Sequence, residues 1–248
     1  MAKPKQRIDQ LLVVRELAST RAKAQALVLA GSVFVEGERV DKAGSLVPED
    51  AVVTVRGAEH PYVSRGGVKL AGALDAHGVD VHGLTCLDIG ASTGGFTDCL
   101  LQRGAAKVVA VDVGYGQLAH KLRIDPRVVV LERTNARTLT VELIGERADL
   151  TVVDASFIGL AQLAETIVRC TKPGGRLLAL VKPQFEVGKA EASRGKGVIK
   201  DPAVRASAID AAAESLGIAG LVVLAQSDSV LPGPKGNREA FILASRRC

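Results

Sequence analysis

Five runs of near-continuous apolar residues recur between residues 85 and 185: "TCLDIG", "KVVAVDVG", "RVVVLER", "ADLTVVDASF" and "RLLALVKPQF". Runs this short and this apolar fit strands buried on both faces. Segments with helical spacing alternate with them, among them "VKLAGALDAHGV", "GFTDCLLQRGA" and a stretch over roughly 159–170. Strand alternating with helix demands a parallel sheet with helices on both sides. A helix over roughly 202–216 then leads to "LVVLAQSDS" and "EAFILAS". A short loop joins these last two, which predicts a hairpin and a final strand antiparallel to its neighbour. Aromatics make up 3% of the chain and Trp is absent, so Ala, Val, Leu and Ile must fill the core.

The first fifty-odd residues follow another grammar. Ile8, Leu11, Leu12 and Leu17 recur at helical spacing. Ser19 or Thr20 can cap a second helix whose stripe is Ala24, Leu27 and Val28, and Gly31 is placed to end it. "SVFVEGERV" reads as strand, turn, strand, and "AVVTVRG" as another strand. Residues 1–30 hold six basic side chains against two acids, nearly all of the chain's +5 surplus, which suggests a polyanionic partner. The order of parts in "RIDQLLVVRELASTRAKAQALVLAGSVFVEGERV" resembles the S4-type RNA-binding fold, whose basic helical face lies on folded RNA. That resemblance implies RNA contacts from Arg7, Arg15, Arg21 and Lys23, with Arg65 as a further one. The Gly- and Pro-rich "GAEHPYVSRGG" reads as the connection. The expected organisation is a small α+β domain at 1–58, a linker at 59–67 and an α/β domain at 68–248.

Cys86, Cys99, Cys170 and Cys248 show neither metal-ligand spacing nor the density of a secreted disulfide scaffold. No metal is expected. The polar, basic start carries no signal-peptide pattern, and the longest uncharged stretch, "SLGIAGLVVLAQS", is too short to span a bilayer. A cytoplasmic protein without a membrane partner is expected.

Chemistry enters at "DIGASTGGFT", residues 88–97. A dinucleotide loop needs a second glycine where Ser92 stands. A phosphate loop needs lysine where Phe96 stands. A nucleoside carrying an amino acid instead of phosphates fits better, namely S-adenosyl-L-methionine. On this reading Gly90, Gly94 and Gly95 clear the backbone beside the methionine carboxylate, and Asp88 takes the ammonium. Asp112, 22 residues past Gly90, takes the ribose hydroxyls, and Asn135 the adenine edge. Ser92 and Phe96 complete the expected cofactor loop.

Ligands of open α/β sheets lie at the carboxyl ends of the strands. Asp154 and Lys182 end successive strands there, Glu239 begins the antiparallel strand on the same rim, and Lys69 precedes the first strand. The set resembles the Lys-Asp-Lys-Glu tetrad of FtsJ-like 2'-O-ribose methyltransferases. A ribose hydroxyl is a poor nucleophile until its proton is removed, and a lysine removes it once burial or a second cation has lowered its proton affinity. The resemblance implies Lys182 as base, Lys69 as neighbouring cation, and Asp154 and Glu239 as orienting carboxylates. "SRGGVKL", "DIGASTGGFTD", "VDVGYGQL", "LERTNAR", "VVDASFI", "LVKPQFEVGK" and "LPGPKGNRE" together resemble the TlyA family, ribosomal RNA cytidine 2'-O-methyltransferases often labelled haemolysins. This implies a Rossmann-like class I methyltransferase sheet and ribosomal RNA or a ribosomal subunit as partner. A membrane-active haemolysin and a non-catalytic RNA-binding protein are the competing classes.

Overall fold

In the computed structural model, which describes residues 4–18, 20–55, 60–187, 197–233 and 236–247, the chain divides into two units, residues 1–59 and 60–248. The first unit runs β1 (Lys5–Arg7), α1 (Ile8–Val14), α2 (Arg21–Leu29), β2 (Val33–Val35), β3 (Glu38–Arg39), β4 (Leu46–Pro48) and β5 (Val53–Val55). Thr20 caps α2, its hydroxyl accepting from the Lys23 backbone N–H at 3.2 Å, while Ser19 lies outside the described residues. Gly31 follows the helix at φ +69°, the left-handed conformation that glycine adopts without a Cβ penalty. β3-β2-β5 form one small sheet and β1-β4 another. Ile8, Leu11, Leu12, Ala24, Val28, Val33 and Val47 close the core of this unit.

The second unit begins with α3 (Arg65–Ala76) and continues β6 (Thr85–Ile89), α4 (Gly95–Gln102), β7 (Lys107–Val111), α5 (His120–Arg123), β8 (Val128–Leu131), α6 (Val141–Ile144), β9 (Ala148–Val153), α7 (Ala164–Cys170), β10 (Thr171–Val181), α8 (Pro183–Glu186), α9 (Pro202–Ile218), β11 (Leu221–Asp228) and β12 (Ala240–Arg246). The sheet order is β11-β12-β10-β9-β6-β7-β8. β12 runs antiparallel to both of its neighbours, and the remaining pairs are parallel. The second half of β10, Leu177–Val181, shows why its sequence is apolar without interruption. Leu177, Ala179 and Val181 enter the core on one face, and Leu178 and Leu180 the core on the other. The helix expected over 159–170 is broken into a 3₁₀ turn at Leu160–Gln162 and α7.

Within the segment read as a linker at 59–67, the second unit begins at His60 and α3 at Arg65. Glycines at 66 and 67 suggested a loop. They serve close packing instead: a Cβ on Gly67 would collide with the Tyr62 ring. Residues 56–59 lie outside the described residues.

Candidate active site

β6 ends in a loop fastened at both sides. Gly90 and Ala91 donate their N–H groups to the Val111 carbonyl at 2.9 and 3.1 Å. Gly90 has φ +88°, and a Cβ there would lie 2.7 Å from the Asp154 carbonyl oxygen. Gly94 has φ +93°, and its Cβ would meet the side chains of Leu118 and Leu122. A Cβ on Gly95 would meet the Ser64 hydroxyl. The chain's own packing thus requires all three glycines, a demand the sequence did not show. The Phe96 ring is buried and stacks on Phe241 with centroids 6.2 Å apart, so its side chain belongs to the core.

The expected cofactor residues occupy the ends of adjacent strands. Asp88 is fully buried; its Oδ2 accepts from Thr97 Oγ1 at 2.6 Å and its Oδ1 has no partner. Burial, opposed by the Thr97 hydrogen bond, pushes its carboxyl up to about 7. Asp112 accepts from the backbone N–H groups of Ser92 (2.8 Å) and Gly114 (2.7 Å), one on each oxygen. Ser92 itself is held at φ +48°, with its hydroxyl donating to Gln117 Oε1. Asn135 is exposed, and its Oδ1 caps a short 3₁₀ turn by accepting from the Arg137 N–H.

The four rim residues converge. Val181 pairs with Ala240 across β10 and β12, which brings the next residue of one strand, Lys182, beside the preceding residue of the other, Glu239. Lys182 Nζ lies 2.6 Å from Asp154 Oδ1 and donates to Ser156 Oγ at 2.8 Å. Lys69, on α3, donates to Glu239 Oε2 at 2.5 Å, and both are buried. Glu239 Oε1 is buried without a partner. The Gly66 Cα–H, one turn before Lys69, sits where a Cβ would lie 3.7 Å from Asp154 Oδ2, so α3 overlooks both ion pairs. The sequence alone does not single out Ser156, Phe157 or Phe185. Phe157 is 90% exposed, holds φ +67°, and contacts Phe185 with centroids 5.2 Å apart. Their signal was proximity: Ser156 and Phe157 stand two and three residues after the rim acid in "DASF", and Phe185 three after the rim lysine in "KPQF".

The basic residues of the first unit are less free than their sequence suggested. Arg7 and Arg21 both donate to the buried Asp9, each at 3.0 Å, together with Gln25. The Arg7 guanidinium, with Gln25 and Arg21, holds the Asp9 carboxyl well below the usual carboxylate range despite burial. Arg15 donates to the carbonyls of Ala51 and Glu49. In the second unit Arg65 is exposed and donates to the Pro232 carbonyl at 3.2 Å. The thiols of Cys86 and Cys99 are buried and pushed up to about 12 and about 11, chiefly by that burial.

Sheet order, glycine loop and lysine–carboxylate rim together define a methyltransferase of the FtsJ-like class. The FtsJ-like methyltransferase family matches residues 62–247, and the S4 domain matches residues 6–53. The 16S/23S rRNA (cytidine-2'-O)-methyltransferase TlyA of Mycobacterium tuberculosis is 51% identical over 237 residues, covering 95% of this chain and 88% of its own. The chain belongs to this TlyA family of FtsJ-like methyltransferases. A solved structure named as a hemolysin, from Streptococcus thermophilus, matches with a TM-score of 0.77 and 36% identity over 99% of this chain and 90% of that chain. An S-adenosylmethionine dependent methyltransferase from Listeria monocytogenes shares the fold at TM-score 0.55 and 14% identity, over 73% of this chain and 98% of that chain. Among the described residues no helix is long and apolar enough to cross a membrane.

Proposed function

We propose that the protein transfers a methyl group from S-adenosyl-L-methionine to the 2'-oxygen of a cytidine in ribosomal RNA, in the cytoplasm. The observation that carries this reading is the convergence of Lys182–Asp154 and Lys69–Glu239 at the carboxyl rim beside the glycine loop. The loop fits the cofactor. The unpartnered Asp88 Oδ1 is a buried acceptor suited to a cation, and Asp112 stands at the neighbouring strand end with lone pairs to spare. When bound, the cofactor supplies an electrophilic methyl group on a sulfonium.

The chain's own residues supply the rest. Lys182 takes the proton of the 2'-hydroxyl onto Nζ, and Asp154 stabilises the ammonium that results. Lys69, held by Glu239, adds a buried positive charge that favours the developing alkoxide. Phe157 offers an exposed aromatic face on which an unstacked base can lie, the usual way single-stranded nucleotides are held. An aromatic with φ near +67° is costly, and such cost persists where function requires the side chain's direction. The matched S4 domain supplies the hold on folded RNA.

Incubation with methyl-labelled S-adenosyl-L-methionine and ribosomal RNA or subunits tests the reading. Label is expected at a cytidine in a linkage resistant to alkali, because a 2'-O-methyl group blocks attack on the adjacent phosphate. RNA binding without transfer would make this a non-catalytic RNA-binding protein.

A further inference from the structure

We propose that Ser156 is a positioning residue for Lys182, setting the direction in which its Nζ atom faces the reacting hydroxyl. The inference rests on Lys182 being the base. Three oxygens lie near Lys182 Nζ among the described residues. Asp154 Oδ1 is closest at 2.6 Å, yet that oxygen accepts no aligned hydrogen bond. The Asp154 carbonyl, at 3.5 Å, is at the outer limit for one. Ser156 Oγ, at 2.8 Å, is the short and aligned acceptor. Coulomb attraction to Asp154 pulls Nζ without fixing its rotation about the Cε–Nζ bond, whereas a hydrogen bond has direction. The difference grows when Lys182 is unprotonated and poised to accept, because the ion pair then vanishes and the contact to Ser156 remains.

Ser156 is itself braced. It sits between Asp154, whose backbone N–H donates to the Ile89 carbonyl at 2.9 Å, and Phe157, which packs on Phe185 of α8. α8 begins at the residue after Lys182. The segment carrying the hydroxyl and the segment carrying the amine are thus joined twice, once through Lys182–Ser156 and once through the two rings. Lys182 has a side chain only 11% exposed, so little water competes for its N–H groups.

Ser156→Ala is expected to slow single-turnover methyl transfer about 10-fold at saturating cofactor and RNA, with Kd for both unchanged. Ser156→Thr, which keeps the hydroxyl, is expected to restore most of the rate. In a Lys182→Ala background Ser156→Ala should add no further loss, since its effect runs through Lys182. A wild-type rate in Ser156→Ala overturns the inference, and so does an equal further loss in the Lys182→Ala background. A second measurement needs neither cofactor nor RNA. Peptide-mapped acylation of Lys182 Nζ should be several-fold faster in Ser156→Ala than in the wild type, and equal reactivity overturns the inference. If the wild-type protein transfers no methyl group, the functional reading fails, and the acylation measurement alone decides the place of Ser156.

Discussion

Asp88 lies wholly inside the second unit, with one oxygen on Thr97 and the other unpartnered. Its carboxyl rises from 3.8 to about 7, first through burial and then through the charges of Asp154 and Asp112. The folded, cofactor-free protein therefore keeps a proton between these values that the unfolded chain has lost. Stability from this group is full below about pH 4 and falls as pH rises toward 7. The whole swing is about 4 kcal/mol. Asp88→Asn should remove it, so thermal melts from pH 4 to 7 should show a less negative slope in the variant than in the wild type. Lys182 allows a sharper chemical test. Lys182→Ala should lower transfer about 10²–10⁴-fold with cofactor and RNA binding retained. Lys182→Arg should be nearly as slow in single-turnover assays, because arginine does not give up its proton near neutral pH. A fast Arg variant would assign Lys182 to charge alone. At this scale the sequence was informative where chemistry demands a residue type. Asp154, Lys182 and Glu239 could be placed together because their strand ends share a rim, with Lys69 on the helix that precedes the first strand. That Asn135 caps a turn and that the Phe96 ring packs in the core could not be read, because both depend on neighbours distant in sequence or set by the loop's fold.

Among the elements, the buried strands were legible because a strand segment covered on both faces is apolar at successive positions, as Leu177–Val181 of β10 is. β1 and β4 were not, since Lys5–Arg7 is wholly polar and Leu46–Pro48 ends in proline, unlike the equally short but β-branched β2 and β5. The start of α3 was hidden by Gly66 and Gly67, whose missing side chains allow Tyr62, Ser64 and Gly95 to approach. The glycine loop was legible as a loop, but the internal packing reason for each glycine was not. At Gly90 that reason can be measured. An alanine there must bear φ +88° and press its Cβ against the Asp154 carbonyl, which is backbone and cannot swing away. Gly90→Ala should therefore cost about 1–3 kcal/mol in chemical denaturation. It should also slow transfer by displacing Asp154 from Lys182. Unchanged stability and rate would mean that the loop yields more easily than its hydrogen bonds to Val111 imply.

At the scale of the whole molecule, each unit builds its core from its own residues, and the chemistry of the two differs accordingly. The second unit carries the lysine–carboxylate rim. The first turns its strongest charges partly inward, toward Asp9 and toward the carbonyls of Ala51 and Glu49. Arg7 and Arg21 thus have two duties open to them, holding Asp9 and meeting phosphates, and their side chains remain about half exposed. The duties separate by measurement. Asp9→Asn removes the charge that fixes both arginines, and the pairing it breaks is buried at one end. It should destabilise the first unit while leaving adenosylmethionine affinity unchanged. Arg21→Gln leaves Asp9 with Arg7 and Gln25, so its effect on melting should be small. If Arg21 meets a phosphate, the variant should flatten the log–log salt dependence of RNA binding by roughly 0.7–0.9. An unchanged slope with lowered stability would make Arg21 a structural partner of Asp9. The salt slope is the deciding quantity, because a lost phosphate contact changes it and a lost internal hydrogen bond does not.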